Sequence, residues 1–186
     1  MIQLKEAKKI YKNGRTEYPA LNGIDLTIEN GEYVAIIGTS GSGKSTLLNI
    51  IGGMDQTTDG QYLYDDKNVS KMNSHALHLF RKEYVSFVFQ RFALLNQYSV
   101  YENVEVPLLA KGIEKNERKK KVLSALMQVG IQDLYKKKPS ELSGGEQQRC
   151  AIARALVMDT PVVLADEPTG SLDKNSGIKV MKLLEG

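Results

Sequence analysis

Apolar and polar positions alternate along the chain in a way that predicts short strands and helices. Apolar and charged residues are interleaved from 2 to 11, and residues 24–29 alternate strictly, so we expect two half-exposed strands joined by a loop at 13–15. The uninterrupted apolar run 33–37 predicts a further strand, and residues 46–51 have apolar side chains at helical spacing. The first quarter of the chain therefore predicts an antiparallel pair, then a strand, a turn and a helix.

The remaining pattern predicts strands and helices in alternation, as in an α/β fold with a mostly parallel sheet and a small N-terminal antiparallel β layer. The continuous apolar run 161–165 is typical of a strand that is buried on both faces. We expect a strand at 60–64, a helix at 70–81, a strand at 85–89, helical structure over 100–130, a strand at 161–165 and a helix at 177–185.

Composition narrows the class of protein further. A chain of 186 residues suits one domain with a core of its own, and its net charge of +3 is too small to indicate nucleic-acid binding. The single cysteine, Cys150, cannot form an internal disulfide, which fits a reducing compartment. No apolar run approaches the roughly 20 residues that span a bilayer, and the N-terminus has no signal-peptide pattern. We therefore expect a cytoplasmic location.

A glycine-rich motif lies between the predicted strand at 33–37 and the helix that follows. It reads G-x-x-x-x-G-K-S, the pattern of a phosphate-binding P-loop, and with the next residue it comprises Gly38, Thr39, Ser40, Gly41, Ser42, Gly43, Lys44, Ser45 and Thr46. Glycines let consecutive backbone N–H groups surround an anion at the positive end of a helix. Lys44 supplies a cation for the β- and γ-phosphates, and Ser45 can ligate Mg²⁺. With a strand and a helix on either side, we prefer this hypothesis to a merely flexible turn.

A second glycine-rich helix start follows about a hundred residues later. Ser143 and Glu146 have capping-box spacing, which predicts that a helix begins there. Between them lie Gly144 and Gly145, which lower helix stability relative to alanine. Close approach by an anion to bare N–H groups would explain both glycines, so we predict a second phosphate contact at Ser143, Gly144 and Gly145.

Two acidic residues, Asp166 and Glu167, follow the apolar run 161–165. In a P-loop ATPase, a carboxylate at this place holds Mg²⁺, and a neighbouring one orients or deprotonates the attacking water. Gln90 ends the strand predicted at 85–89, where ligands bind in such sheets. It is equally consistent with an uncharged strand terminator. Tyr11 ends the first strand and is either a base-stacking side chain or a partly buried one.

Two polar clusters have simpler explanations. His75 and His78 have i, i+3 spacing on the predicted helix at 70–81, but no carboxylate or cysteine cluster accompanies them, so we favour a solvated face over a metal site. The basic run 118–121 precedes an apolar stripe and is likewise interpreted as a solvated helix face rather than a membrane or nucleic-acid contact.

Taken together, these motifs resemble the nucleotide-binding domain of ATP-binding cassette (ABC) transporters over essentially the whole chain. The octapeptide LSGGEQQR at 142–149 is similar to the family signature, which distinguishes this family better than a P-loop does. On that resemblance, Gln90 matches the Q-loop glutamine, which implies catalytic and Mg²⁺ roles, Asp166 the Walker B aspartate and Glu167 the catalytic glutamate. Tyr11 matches the adenine-stacking aromatic, and residues 171–173 match the D-loop.

The resemblance implies a P-loop NTPase core, with a helical subdomain at about 91–158 inside a single domain spanning 1–186. It implies that MgATP is bound and hydrolysed between two copies in a head-to-tail dimer, with Lys44 among the catalytic residues. Stretches such as FVFQRF at 87–92 resemble the lipoprotein-releasing, macrolide- and peptide-exporting sub-family, in which a membrane permease handles the substrate. The chain would then lie at the inner face of the cell membrane.

We place the permease contact beside Gln90, in a loop that carries apolar and aromatic side chains and that has no evident core to join: Phe92, Leu94, Leu95 and Tyr98. Domains of this family continue into a segment with a switch histidine, which this chain does not contain after its signature, so we expect slow turnover. The alternatives are a non-transport ABC ATPase and a nucleotide sensor with little turnover.

Overall fold

The computed structural model describes residues 1–90, 92–170 and 172–184, and at residue 183 only the backbone. The chain divides into two compact units, Met1–Glu83 and Tyr84–Gly186.

The first unit consists of an antiparallel sheet with helices. Its elements are β1 (Ile2–Asn13), β2 (Thr16–Ile28), α1 (Lys44–Ile51), β3 (Asp59–Tyr64), β4 (Lys67–Asn68), a 3₁₀ turn (Val69–Lys71) and α2 (Ser74–Tyr84). The strands lie in the order β2-β1-β3-β4, and every neighbouring pair is antiparallel. The predicted β layer is therefore present, and the turn that joins its first two strands falls at the predicted place.

Apolar side chains from this sheet and its helices form the core of the first unit. Tyr62 and Tyr64 pack edge-on against Phe80 of α2, with ring centroids 6.3 and 5.4 Å apart. The buried hydroxyl of Tyr62 donates to the carbonyl of Ile51 at 2.8 Å. Because burial disfavours the charged phenolate, the pKa of Tyr62 is raised. These contacts fix the C-terminal end of α1 against the sheet.

The second unit combines a parallel strand pair with four helices. Its elements are β5 (Val85–Val88), α3 (Val100–Lys111), α4 (Lys115–Gln128), two 3₁₀ turns (Gln132–Leu134 and Pro139–Glu141), α5 (Gly144–Leu156), β6 (Val162–Ala165) and α6 (Lys174–Leu184). β5 and β6 are parallel neighbours, with Val85 opposite Val162 and Val88 opposite Ala165. Buried side chains from α3, α4 and α5 form one apolar cluster with Val88 and Val180.

Two details of the predicted pattern were wrong. Residues 32–39 have no regular secondary structure, and the side chain of Ile37 is 92% exposed. An apolar run is a strand only where its backbone pairs with a neighbour, and this run belongs to neither described sheet. β6 is not buried on both faces, since Val163 is 40% exposed and Leu164 alone is buried. The helical structure predicted over 100–130 is present as two helices, because Gly112 with φ of 75° ends α3.

Candidate functional site

The P-loop curls around its own lysine. Lys44 is the first residue of α1, and its ammonium donates hydrogen bonds to the carbonyls of Gly38 at 2.9 Å and Thr39 at 2.7 Å. Gly43 caps the helix with φ of 88°, a conformation that favours glycine, and a Cβ there would lie 2.4 Å from the carbonyl oxygen of Ala20. The loop therefore requires glycine at this position, for both conformation and space.

The start of α1 presents its backbone N–H groups without a side-chain cap. The N-cap residue Gly43 makes no side-chain hydrogen bond to the helix start, and the first turn contains no acidic residue. The first N–H groups of a helix have no partner within the helix, and the dipole places partial positive charge beside them. With Lys44 at the same end and Ser45 exposed next to it, this end of α1 has the chemistry of an anion site.

In the second unit, the parallel pairing of β5 and β6 brings together residues that follow the two strands. Gln90 donates from Nε2 to Oε2 of Glu167 at 2.6 Å, and the backbone N–H of Asp166 donates to the carbonyl of Val88 at 3.0 Å. Glu167 has φ of 49°, a left-handed conformation that is strained for a non-glycine residue. Gln90 is thus more than a strand terminator, because it holds one oxygen of an exposed carboxylate.

The second glycine-rich helix start is closed by a capping box, as predicted. The Ser143 hydroxyl accepts from the Glu146 N–H at 3.4 Å, while Glu146 Oε2 accepts from the Ser143 N–H at 2.7 Å and its hydroxyl at 2.7 Å. These bonds, first that of the Ser143 hydroxyl and then that of its N–H, lower the pKa of Glu146. A Cβ at Gly145 would meet Leu172 Cδ2 at 3.3 Å, whereas one at Gly144 would meet nothing within 4 Å.

Tyr11 lies near the end of β1, and 41% of its surface is exposed, so it is not buried. Its hydroxyl donates to Asp55 Oδ2 at 2.9 Å, and the Lys9 ammonium lies 5.1 Å from the centroid of its ring. Lys9 and Asp55 belong to no sequence motif. Asp55 is 44 residues from Tyr11 in a turn region, and no local pattern could have linked them.

The loop that follows Gln90 is anchored to the second unit, which corrects the expectation that it has no core to join. Leu94 packs against the apolar cluster, whereas Leu95 and Tyr98 are each 39% exposed. The Arg154 guanidinium of α5 donates to the carbonyls of Phe92 and Ala93, both at 2.6 Å.

A second anchor of this loop is Asn103 of α3, whose side chain is fully buried. It accepts from the backbone N–H of Leu95 at 2.7 Å and donates to that residue's carbonyl at 3.1 Å. It also donates to the carbonyls of Tyr98 and Ser99, at 3.2 and 2.9 Å. The loop is therefore held by two polar side chains and by the inward-facing Leu94.

The two histidines make none of the contacts described above. His75 and His78 are exposed on α2, and the described residues contain no group of three His, Cys, Asp or Glu side chains that could hold a metal ion by themselves. Among the same residues, no helix is long and apolar enough to cross a bilayer. Ser171, the first residue of the D-loop match, lies outside the described residues.

Comparison with known proteins identifies the family of the chain. The model of the ABC transporter family matches residues 21–170. The chain belongs to the ABC transporter family. It is 46% identical over 183 residues to YvrO, an ABC transporter ATP-binding protein of Bacillus subtilis (strain 168), and covers 80% of that protein and 98% of itself. The predicted family, and the prediction that the chain is an ATP-binding subunit within it, are confirmed.

Two other relatives bear on the sub-family and the fold. The chain is 48% identical over its whole length to the macrolide export ATP-binding/permease protein MacB of Hyphomonas neptunium, of which it spans only 29%. Solved structures of the ABC transporter cassette MJ0796, described as dimeric, match 99% of the chain and 81% of theirs, with a TM-score of 0.94 and 44% identity in one of them. This likeness confirms the predicted α/β P-loop fold. Proteins of this family generally hydrolyse ATP, dimerise and pair with a membrane permease.

Proposed function

We propose that this chain binds MgATP and hydrolyses it to drive a membrane permease, with export as the direction of transport. The observation that carries the proposal is the start of α1, where Lys44 and the positive end of the helix meet at a glycine-rich loop without a side-chain cap. The family supports a transporter, and the names of MacB and YvrO are those of transport proteins rather than of proteins that act on DNA or ribosomes.

The phosphate-binding loop and Tyr11, both in the first unit, have distinct roles in this proposal. The backbone of residues 38–46 surrounds the phosphates, and Lys44 leaves its two carbonyl partners to bind the β- and γ-phosphates. The exchange is favourable because phosphate oxygens carry negative charge and the carbonyl oxygens do not, so the ammonium gains the attraction of an opposite charge. Tyr11 stacks on the adenine base.

The types of side chain fit magnesium. Mg²⁺ prefers oxygen ligands and keeps several waters, so it needs only one or two protein groups besides the phosphates. Ser45 supplies a hydroxyl, Asp166 a carboxylate and Gln90 a carboxamide oxygen, and we propose these three as the groups that hold it, directly or through water. When bound, the metal neutralises charge on the phosphates.

Glu167 is the proposed catalytic carboxylate that orients the attacking water. Gln90 fixes one of its oxygens at 2.6 Å, and the strained backbone directs the side chain, so the carboxylate is positioned before the reaction. Lys44 then stabilises the charge that develops on the γ-phosphate. The expected slow turnover stays a prediction, which phosphate release from this chain will measure.

Two contacts with other molecules complete the proposal. In a head-to-tail dimer, Ser143, Gly144 and Gly145 of one copy contact the γ-phosphate bound by the other. Phe92, Leu95 and Tyr98 contact the permease at the inner face of the cell membrane, while Leu94 supports the loop from inside. Co-purification with the permease after Leu95→Ser tests this second contact.

We also propose that residues 91–158 act as a helical subdomain within one ATP-binding domain.

Substitution of Lys44 tests the function directly. Lys44→Ala should reduce ATP affinity at least tenfold, because the phosphates lose a charge-assisted bond worth about 1.5–3 kcal/mol. Titration calorimetry measures the affinity, and phosphate release measures turnover on the same samples. Lys120→Ala, at an exposed position of α4, is the matched control and should bind as the unmodified chain does. Equal ATP affinity in the Lys44→Ala and Lys120→Ala proteins would refute the site.

A further inference from the structure

Asp55 uses both of its carboxylate oxygens to hold two side chains of β1. Oδ1 accepts from the Lys9 ammonium at 2.5 Å and from the Gln56 N–H at 2.8 Å, and Oδ2 accepts from the Tyr11 hydroxyl at 2.9 Å. An ion pair with Lys9 would need only one oxygen. The second oxygen fixes the position of an aromatic hydroxyl that could otherwise bond to water.

The same residue is tied to the helix that follows the P-loop. The backbone N–H of Asp55 donates to the carbonyl of Asn49 in the last turn of α1 at 3.2 Å, and Met54 donates to the same carbonyl at 2.8 Å. Lys9 also donates to the Gln56 carbonyl at 2.8 Å. The segment 54–56 therefore links the C-terminal end of α1 to the strand that carries Tyr11, all within the first unit.

The cluster is partly shielded from water and well satisfied. The Lys9 and Asp55 side chains are 14% and 30% exposed. Burial by itself would raise the pKa of Asp55, but the bonds from Lys9, Gln56 and Tyr11 outweigh it and the pKa lies below its usual value. The carboxylate is therefore charged at neutral pH.

One face of the Tyr11 ring carries the Lys9 ammonium, 5.1 Å from the centroid. The ring nevertheless remains 41% exposed, and its cross-strand neighbour Tyr18 is 55% exposed. An exposed tyrosine normally samples several rotamers, and fixing one before a ligand arrives removes part of the ordering cost of binding. Tyr11 is thus an aromatic platform that is held at its hydroxyl and accessible at its ring.

We propose that Asp55 is a positioning residue for nucleotide binding: through the Tyr11 hydroxyl it holds the ring in the orientation that stacks on the base, in fixed register with the P-loop helix. This inference rests on the proposed function, since it requires that Tyr11 binds the base. Preorganising one side chain of this kind corresponds to about a 3- to 10-fold gain in affinity.

A double-mutant cycle in the full chain tests the link, with titration calorimetry of ATP and of inorganic tripolyphosphate, which has no base. Asp55→Ala should weaken ATP binding about 3- to 10-fold and leave tripolyphosphate binding unchanged. In a Tyr11→Phe background it should have no further effect, because the hydroxyl through which it acts is gone. Asp59→Ala is the control, since Asp59 pairs with Lys8 in the same sheet and does not touch Tyr11.

Three outcomes would overturn the inference. They are equal weakening of ATP and tripolyphosphate by Asp55→Ala, an undiminished effect in the Tyr11→Phe background, and no effect on ATP at all.

Tyr11→Ala separates this inference from the proposed function on which it rests. If Tyr11→Ala weakens ATP but not tripolyphosphate, while Asp55→Ala weakens neither, base stacking stands and only the positioning role fails. If Tyr11→Ala weakens neither ligand, the stacking role fails and the positioning role fails with it.

Discussion

The two glycine-rich helix starts of this chain look alike in sequence and differ in structure. α1 begins after Gly43 with no side-chain cap and no acidic residue in its first turn. α5 begins after Ser143 with a complete capping box, so a carboxylate already lies at its positive end. The first start is therefore ready to accept an anion, whereas the second must rearrange its cap before the Ser143 hydroxyl can bind one.

The glycines of the two segments also differ in how strongly the local structure requires them. Gly43 is required by its backbone conformation and by the carbonyl of Ala20, neither of which a side chain can avoid. Gly145 lies 3.3 Å from the flexible end of the Leu172 side chain, which can shift to admit a Cβ, so packing does not require glycine there. Gly144 has open space. Close approach by an anion is therefore the explanation that we propose for the second pair of glycines.

The largest effect is expected at the first start. Gly43→Ala places a Cβ 2.4 Å from a backbone carbonyl at φ of 88°, so the loop must move, with strain of about 1–3 kcal/mol. ATP affinity should fall at least tenfold because the phosphate loop changes shape. Circular dichroism melts and calorimetry measure the two effects.

Gly144→Ala is the matched control for that change in the second segment. Alanine has open space at this position and is a better helix former than glycine, so the melting temperature should stay the same or rise. Equal melting temperatures and equal ATP affinities in the Gly43→Ala and Gly144→Ala proteins would mean that the two helix starts do not differ in their need for glycine.

The second effect concerns dimerisation. Gly145→Asp should leave ATP binding by the monomer intact, since an acidic residue in the first turn of a helix is stabilising, but it places a carboxylate where the partner's γ-phosphate would bind. The ATP-dependent dimer should weaken at least tenfold in size-exclusion chromatography. Gly145→Ala separates charge from the contact with Leu172 and should still dimerise. Normal dimerisation of Gly145→Asp would remove Ser143, Gly144 and Gly145 from the interface.

Local signals in the sequence were enough for the elements whose causes are local. The capping box at Ser143, the turn between β1 and β2, and the alternating pattern of β5 each depend on residues a few positions apart. The α/β fold followed from the order of these elements. Sequence periodicity failed at residues 33–37, because strand formation depends on a backbone partner that no pattern within the run specifies.

In the candidate site, too, residues with a local motif could be predicted, whereas contacts that depend on the fold could not. The P-loop and the two carboxylates could be found from motifs, but the contact of Gln90 with Glu167 depends on the parallel pairing of β5 with β6. Asp55 and Arg154 act on residues 44 and more than 60 positions away, through side chains that have no motif of their own. Long-range polar contacts of this kind are visible only once the fold is known.

The smallest effect depends on pH and concerns the cap of α5. Ser143→Ala removes the cap of α5 and should lower the free energy of unfolding by about 1 kcal/mol near neutral pH. Glu146 has a folded-state pKa below its unfolded value, so its contribution is present above the unfolded pKa of about 4.3 and is lost as pH falls through the folded pKa. The cost of Ser143→Ala should therefore shrink as the pH is lowered from 6 into this range, as measured by urea unfolding of both proteins at each pH. α1 has no carboxylate in its first turn, so a variant there, Thr46→Ala, provides the control, whose cost should not follow this titration. A cost of Ser143→Ala that stays constant across the range would mean that Glu146 does not contribute to the cap as a charged group.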